Sequence, residues 1–149
     1  MKIFGDESDE FIFGTSKGDF IVPRAGRDVV YGRKGNDYIM DTANEVNGSR
    51  RSQDDVFFGG YGNDVLITTG GHDVLAGGRG NDHIYAQSLD SFVAQGGGGY
   101  DVLHLIESSN YTQKRVDGIL ELHLVSDEVS QTIFVRGIEE IRYDAPFAL

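Results

Sequence analysis

The sequence predicts an all-β protein: a right-handed parallel β-roll followed by a C-terminal antiparallel β cap. Three observations lead there. Aspartate returns every nine residues through much of the chain, at Asp19, Asp28, Asp37, Asp55, Asp64, Asp73 and Asp82. An aliphatic or aromatic residue stands two places after each of them. Beyond Asp101 the phase stops and longer alternating stretches take over.

Each nine-residue unit reads as a six-residue turn and a three-residue strand, so eighteen residues close one circuit of a flattened coil. Side chains in a strand alternate faces, which leaves the eighth position of each unit as the inward one. The expected core is Ile12, Ile21, Val30, Ile39, Phe57, Leu66, Leu75, Ile84, Val93 and, one residue out of phase, Leu103. Glycine recurs at the first, second and fourth turn positions, where the chain needs positive φ or close backbone approach. Asn36, Asn63 and Asn81 follow the fourth position. Asparagine tolerates the left-handed region, so the same tight turn is expected there.

The cleanest units are 59–67 (GGYGNDVLI), 77–85 (GGRGNDHIY) and 96–104 (GGGGYDVLH). They match the nonapeptide G-G-x-G-x-D-x-U-x, and the chain thereby resembles the RTX calcium-binding repeat family. The resemblance implies several calcium ions held between stacked turns. It assigns the carboxylates of Asp19, Asp28, Asp37, Asp55, Asp64, Asp73, Asp82 and Asp101 as ligands. Backbone carbonyls of Gly59, Tyr61, Gly77, Gly78, Arg79, Gly80, Gly96 and Gly98 would complete the sets, since hard oxygen ligands in that number suit calcium. An eighteen-residue circuit should place Glu10, Asp28, Val46, Asp64, Asp82 and Asp101 on one edge. The other edge should carry Asp19, Asp37, Asp55, Asp73 and then Asp90 or Ser91.

Departures from the repeat mark weaker places. The turn before Asp19 (GTSKG) lacks two of its glycines, and the turn before Asp55 (RRSQD) has none. Residues 41–49 (DTANEVNGS) keep the nine-residue count with Val46 in the aspartate place, which reads as a surface excursion interrupting one calcium column. A ten-residue step around 86–95 predicts a small bulge.

The net charge of −11 disfavours nucleic acid and acidic lipid surfaces and favours cations. About five calcium ions, at +10, would nearly cancel it. No cysteine is present, so disulfides and thiolate sites are excluded. No apolar run is long enough for a cleaved N-terminal export signal or a membrane span. RTX proteins are typically exported by type I systems reading an uncleaved C-terminal signal, and the tail 141–149 (IRYDAPFAL) suits the end of one.

The stretches 102–106, 118–125, 132–136 and 138–143 read as antiparallel strands. They divide the chain into a roll, 1–104, and a capping region, 105–149, because a solenoid end needs cover. One outer face is expected to gather Phe20, Val22, Tyr38, Met40, Val56, Phe58, Val74, Ala76, Phe92 and Ala94, an apolar stripe for intramolecular cover, self-association or a parent domain. The opposite face gathers Tyr31, His83, Tyr85 and His104, where sugars can stack. No H-E-x-x-H, G-x-S-x-G or P-loop occurs.

The resulting expectation is a non-catalytic calcium-binding module of a secreted or cell-surface bacterial protein that folds on calcium outside the cell. The alternatives are a glycan-binding or adhesion module, with Arg24, Arg27, Arg33, Lys34, Arg50 and Arg51 as further candidates, and an accessory module of a polysaccharide-acting or other secreted enzyme.

Overall fold

A computed structural model describes residues 1–41, 45–46, 49–50, 53–86, 91–106, 111–125 and 130–144. Every regular element among them is a strand. In chain-order numbering, β1 (Lys2–Phe4), β3 (Phe20–Val22), β5 (Tyr38–Met40), β9 (Val65–Thr68), β11 (His83–Ala86), β13 (Val102–Ile106) and β17 (Glu140–Asp144) form one sheet in that order. All its neighbours are parallel. The second sheet runs β2 (Phe11–Phe13), β4 (Val29–Lys34), β8 (Val56–Tyr61), β10 (Val74–Arg79), β12 (Phe92–Gly98) and β16 (Ser130–Arg136), also in parallel. The hairpin β14 (Thr112–Val116) and β15 (Ile119–Val125) extends it antiparallel from β16. Apart from the β14–β16 meander and a short excursion after β5, the chain passes from sheet to sheet at each turn, which is a parallel β-roll with an antiparallel cap.

The core is one inward residue deep. Ile21, Val30, Ile39, Phe57, Leu66, Leu75, Ile84 and Leu103 are fully buried, and Ile12 nearly so, as the eighth-position rule requires. Val93 is the exception. The ten-residue step before it shifts the register, so Val93 pairs with outward Val74 while Ala94 pairs with core Leu75. Ala94 and Phe92 are buried in its place.

The segment after Asp41 changes the architecture more. Its described parts, β6 (Glu45–Val46) and β7 (Ser49–Arg50), form an antiparallel pair of their own. Meanwhile β4 pairs directly with β8, and β5 with β9, at offsets of 27 residues. The segment is the expected surface excursion, but it removes a whole half-turn and exchanges the sheets of everything that follows, where the sequence predicted that it kept its place in the count with Val46 on the Asp28 edge. The apolar stripe divides accordingly. Phe20 and Tyr38 stack on the first sheet, whereas Tyr31 and Phe58 stack on the second, with Phe13 beyond them. The proposed sugar-stacking face also separates, since Tyr31 lies in β4 and His83, Tyr85 and His104 lie in the other sheet.

Direction is a third difference. β13 and β17 are parallel members of the first sheet, and β16 is parallel to β12 while antiparallel to β15. Alternation fixes which face a residue takes, not which way the strand runs. The tight turn at Gly137, with φ of 58°, returns the chain as a repeat turn does.

Removing residues 42–50 leaves a six-residue link, DRSQDD, between Met40 and Val56. The shortened protein is expected to keep its β circular dichroism and its calcium stoichiometry along the Asp37–Asp64 edge. A collapse of both on deletion would show that the segment is an obligatory turn of the coil.

Candidate metal centre

Each repeat turn ends on an aspartate at the sixth position, two before the core residue, so its side chain takes the inward face. The consequence is a row of carboxylates under the turns. Asp64, Asp82 and Asp101 are completely buried, and Asp19, Asp28, Asp37, Asp55 and Asp73 are at most 4% exposed. One oxygen of each is committed to the neighbouring turn. On one edge the Asp19 N–H donates to Asp37 Oδ1 at 2.8 Å, Asp37 to Asp64 at 2.7 Å, Asp64 to Asp82 at 2.8 Å and Asp82 to Asp101 at 2.9 Å. On the other, Glu10 donates to Asp28 at 2.9 Å, Asp28 to Asp55 at 2.8 Å and Asp55 to Asp73 at 2.8 Å.

This corrects the expected columns. Asp64, Asp82 and Asp101 do stack consecutively, but beneath Asp37 rather than Asp28, and Asp55 and Asp73 stand beneath Asp28. Val46 belongs to neither column.

The second carboxylate oxygen is the telling atom. Oδ2 of Asp28, Asp37, Asp64, Asp82 and Asp101 is buried with no hydrogen-bond partner. A buried, unpartnered carboxylate oxygen is expensive unless a cation faces it. The space beside it has a repeating form. A Cβ built on Gly59 would meet both Asp64 Oδ2 and the Gly77 carbonyl, and one on Gly32 would meet Asp37 Oδ2 and the Gly59 carbonyl. A carboxylate oxygen and a carbonyl of the next turn thus converge on a cavity kept open by the absence of a side chain. Carbonyls of Tyr61, Arg79 and Gly98 accept amides from Gly35, Gly62 and Gly80 across the turns, each retaining a second lone pair. Among the described residues no three acidic or histidine side chains gather as a metal cluster. The donor set is one carboxylate per turn plus backbone carbonyls, which are hard oxygens suited to calcium rather than to zinc or copper.

Burial drives the carboxyl groups upward: Asp55 to about 8, Asp64 and Asp73 to about 7, and Asp28 and Asp82 to about 6. Neighbouring aspartates add to this, while the inter-turn amide bonds oppose it. Asp19 moves the other way. Burial resists its ionisation, but the Met1 ammonium, 2.8 Å from Oδ1, and bonds from Thr15 outweigh that effect. Its turn was one of the two that departed from the glycine pattern.

The asparagines work differently from the expectation. Asn36, Asn63 and Asn81 are not among the positive-φ residues; their Oδ1 atoms accept N–H groups of Asn63, Asn81 and Tyr100 at 2.8–2.9 Å. They form a second ladder outside the aspartates. His83 and His104, expected on an outer face, make a defined contact: Nδ1 and Nε2 lie 3.0 Å apart, and the His104 ring, which is buried, stacks on Tyr85. Of the basic candidates, Arg27 pairs with Asp9, Arg24 lies over Phe4 and Arg33 over Phe13; Arg51 and the side chain of Arg50 lie outside the described residues.

Residues 4–39 and 52–88 match the family described as RTX calcium-binding nonapeptide repeat, in four copies. No sequence match was found among curated proteins. Among solved structures, the chain aligns with the extracellular lipase LipA from Serratia marcescens at 15% identity and a TM-score of 0.21, covering 93% of this chain and 38% of the lipase chain. The chain thus spans well under half the length of that enzyme. No helix among the described residues is long and apolar enough to cross a membrane.

The raised carboxyl groups fix a sign for pH dependence without metal. A carboxyl whose folded pKa lies above its unfolded value stabilises the fold below the unfolded value, and that stability is lost as pH rises through the folded one. Metal-free protein is therefore expected to hold more β structure near about pH 5 than near about pH 8, where calcium should restore it. Circular dichroism of metal-free protein across that range checks this; a β signal that grows with pH would contradict it.

Proposed function

The chain belongs to the RTX calcium-binding nonapeptide repeat family and binds calcium, and from that premise we propose that it is a non-catalytic module of a secreted or cell-surface protein whose roll folds on calcium. The observation that carries this reading is the row of buried carboxylate oxygens with no partner. We assign Asp37, Asp64, Asp82 and Asp101 as the principal carboxylate ligands, with Asp19, Asp28, Asp55 and Asp73 as weaker ones. Carbonyls of Gly59, Tyr61, Gly77, Gly78, Arg79, Gly80, Gly96 and Gly98 are the backbone candidates. Residues 1–104 act as the calcium roll and 105–149 as its cap.

Calcium supplies the counter-charge that the buried carboxylates require. A core one residue deep cannot offset chain entropy and the mutual repulsion of the aspartates together. Extracellular calcium modules bind with Kd of about 10⁻⁴ to 10⁻³ M, so scarce cytosolic calcium leaves them empty. Ten-fold excess over Kd stabilises the native state by about 1.4 kcal/mol per independent site, and several sites acting together decide the fold. A module of this kind stays extended during export and compacts outside. The buried aspartates of the coil are committed to the inter-turn ladders, which favours binding over acid-base catalysis as their role.

In metal-free buffer near neutral pH, small-angle scattering should show an expanded chain that millimolar calcium compacts and magnesium does not, since magnesium demands near-octahedral geometry and sheds water reluctantly. An unchanged radius on calcium removal would sink the switch. Gly59→Ala provides a local test, because its φ is not positive and its Cβ would enter the cavity facing Asp64 Oδ2. It should cost one ion. Gly98→Ala, whose Cβ meets nothing within 4 Å, should cost none. Asp82→Ala should lose up to two ions and unfold more readily than Glu10→Ala, because Asp82 joins the Asp64 and Asp101 turns in one ladder.

A further inference from the structure

The aspartate ladder does not end with the last nonapeptide. Asp101 N–H donates to Glu139 Oε2 at 2.7 Å, as each earlier aspartate donates to the next. In return, the N–H groups of Glu139 and Glu140 reach the Asp101 carbonyl at 3.1 and 3.2 Å. Gly137 enters the left-handed region and turns its carbonyl toward the Gly96 turn, where it accepts the Gly97 N–H at 3.3 Å. A Cβ on Gly96 would meet the Gly137 carbonyl and Asp101 Oδ2, the same pairing found at Gly32 and Gly59. Asp101 is completely buried, and its Oδ2 has no partner.

We propose that Asp101, Gly137 and Glu139 hold a further calcium ion outside the repeats, at the junction between roll and cap. The inference rests on the calcium reading of the unpartnered oxygens and extends it to a turn, RGIEE, that has none of the nonapeptide spacing. The matched repeats stop at residue 88. Glu139 replaces aspartate there, its extra methylene spanning a shorter turn. Glu140, one residue on, faces away and is held by Arg142 at 2.8 Å and by Tyr100 Oη at 3.0 Å. Glu139 itself is exposed, unlike the aspartates it follows, so water competes at this station and it fills at higher calcium than the interior ones. Its occupancy fixes the turn between β16 and β17, and with them the last coil and the hairpin built on it.

Calorimetry and hydrogen exchange on the full chain, titrated with calcium, test this. Glu139→Gln keeps an acceptor for the Asp101 amide but removes the charge. It should bind one ion fewer than wild type and move protection of residues 136–144 to about three- to tenfold higher calcium, leaving residues 59–82 at the wild-type midpoint. Glu140→Gln should keep the full count. A full count and unshifted protection in Glu139→Gln would overturn the inference while leaving the repeat sites standing; wild type that binds no calcium would overturn the underlying reading instead. Wild type alone gives a second measure if the variant does not fold. Protection of 96–101 and 136–144 should appear after that of 59–82 as calcium rises, and protection of both before any calcium is added would refute the station.

Discussion

The fold depends on how each aspartate divides its two oxygens. One accepts a backbone N–H from the aspartate of the preceding turn, and this bond repeats from Asp19 to Asp101 along one edge. That oxygen is structural, because it pins the height of every turn on the last. The other lies in the same dry interior with nothing to accept from, at five positions. Geometry that aligns the turns therefore also builds an array of negative charge that water cannot reach. An apolar core would remove the difficulty by replacing the acids, but the acids are what fix the stacking. A cation facing those oxygens would resolve the conflict from outside, and on the proposed reading the fold is conditional on one.

A coil of this kind contacts only its neighbours, so interruptions are local. Two long ones are seen among the described residues, and the chain handles them alike. It leaves after β5 and re-enters at Asp55, whose carboxylate accepts the Asp28 amide. It leaves again after β13, builds the hairpin β14 and β15, and re-enters through β16 to Glu139, whose carboxylate accepts the Asp101 amide. In both cases an acidic side chain at the right height is the re-entry signal. The length of the excursion does not matter to the turns on either side, only the recovery of that bond and of the parallel pairing next to it.

These re-entry points also mark where the sequence stops being readable. The phase of Asp19 to Ile21 or Asp64 to Leu66 names ligand and core together, since both sit on one face of an alternating strand. Edge assignment needs more. Nine residues inserted between Asp41 and Asp55 preserve the count but reverse the parity, so counting alone placed Asp64 beneath Asp28 when it lies beneath Asp37. Val93 and Ala94 exchanged roles for a similar reason: a single added residue moves every side chain of a strand to the other face. Glu139 had no repeat to announce it. Its role arises from a pairing between β13 and β17 that spans 38 residues, and alternation within each strand is silent about direction.

Threonine shows that the same carboxylates can be relieved from within. Thr68 Oγ1 donates to Asp73 Oδ2, Thr69 Oγ1 to Asp41 Oδ2 at 2.9 Å, and Thr15 Oγ1 to Asp19 Oδ2 at 2.9 Å. In these turns threonine occupies places where the consensus has glycine, and none of the three Oδ2 atoms is left unpartnered. Glycine leaves room for an ion; a hydroxyl at the same height fills part of that room and satisfies the oxygen with a neutral donor. A neutral donor cannot cancel the charge, and the Asp73 carboxyl still stands at about 7. It does remove the unmet bond. The stretch from Asp37 through Asp64 and Asp82 to Asp101 retains the glycines and the unpartnered oxygens together, and on the proposed reading that is where calcium matters most, while Thr15 relieves the first turn of that edge and Thr68 and Thr69 give the opposite edge part of its cohesion without an ion.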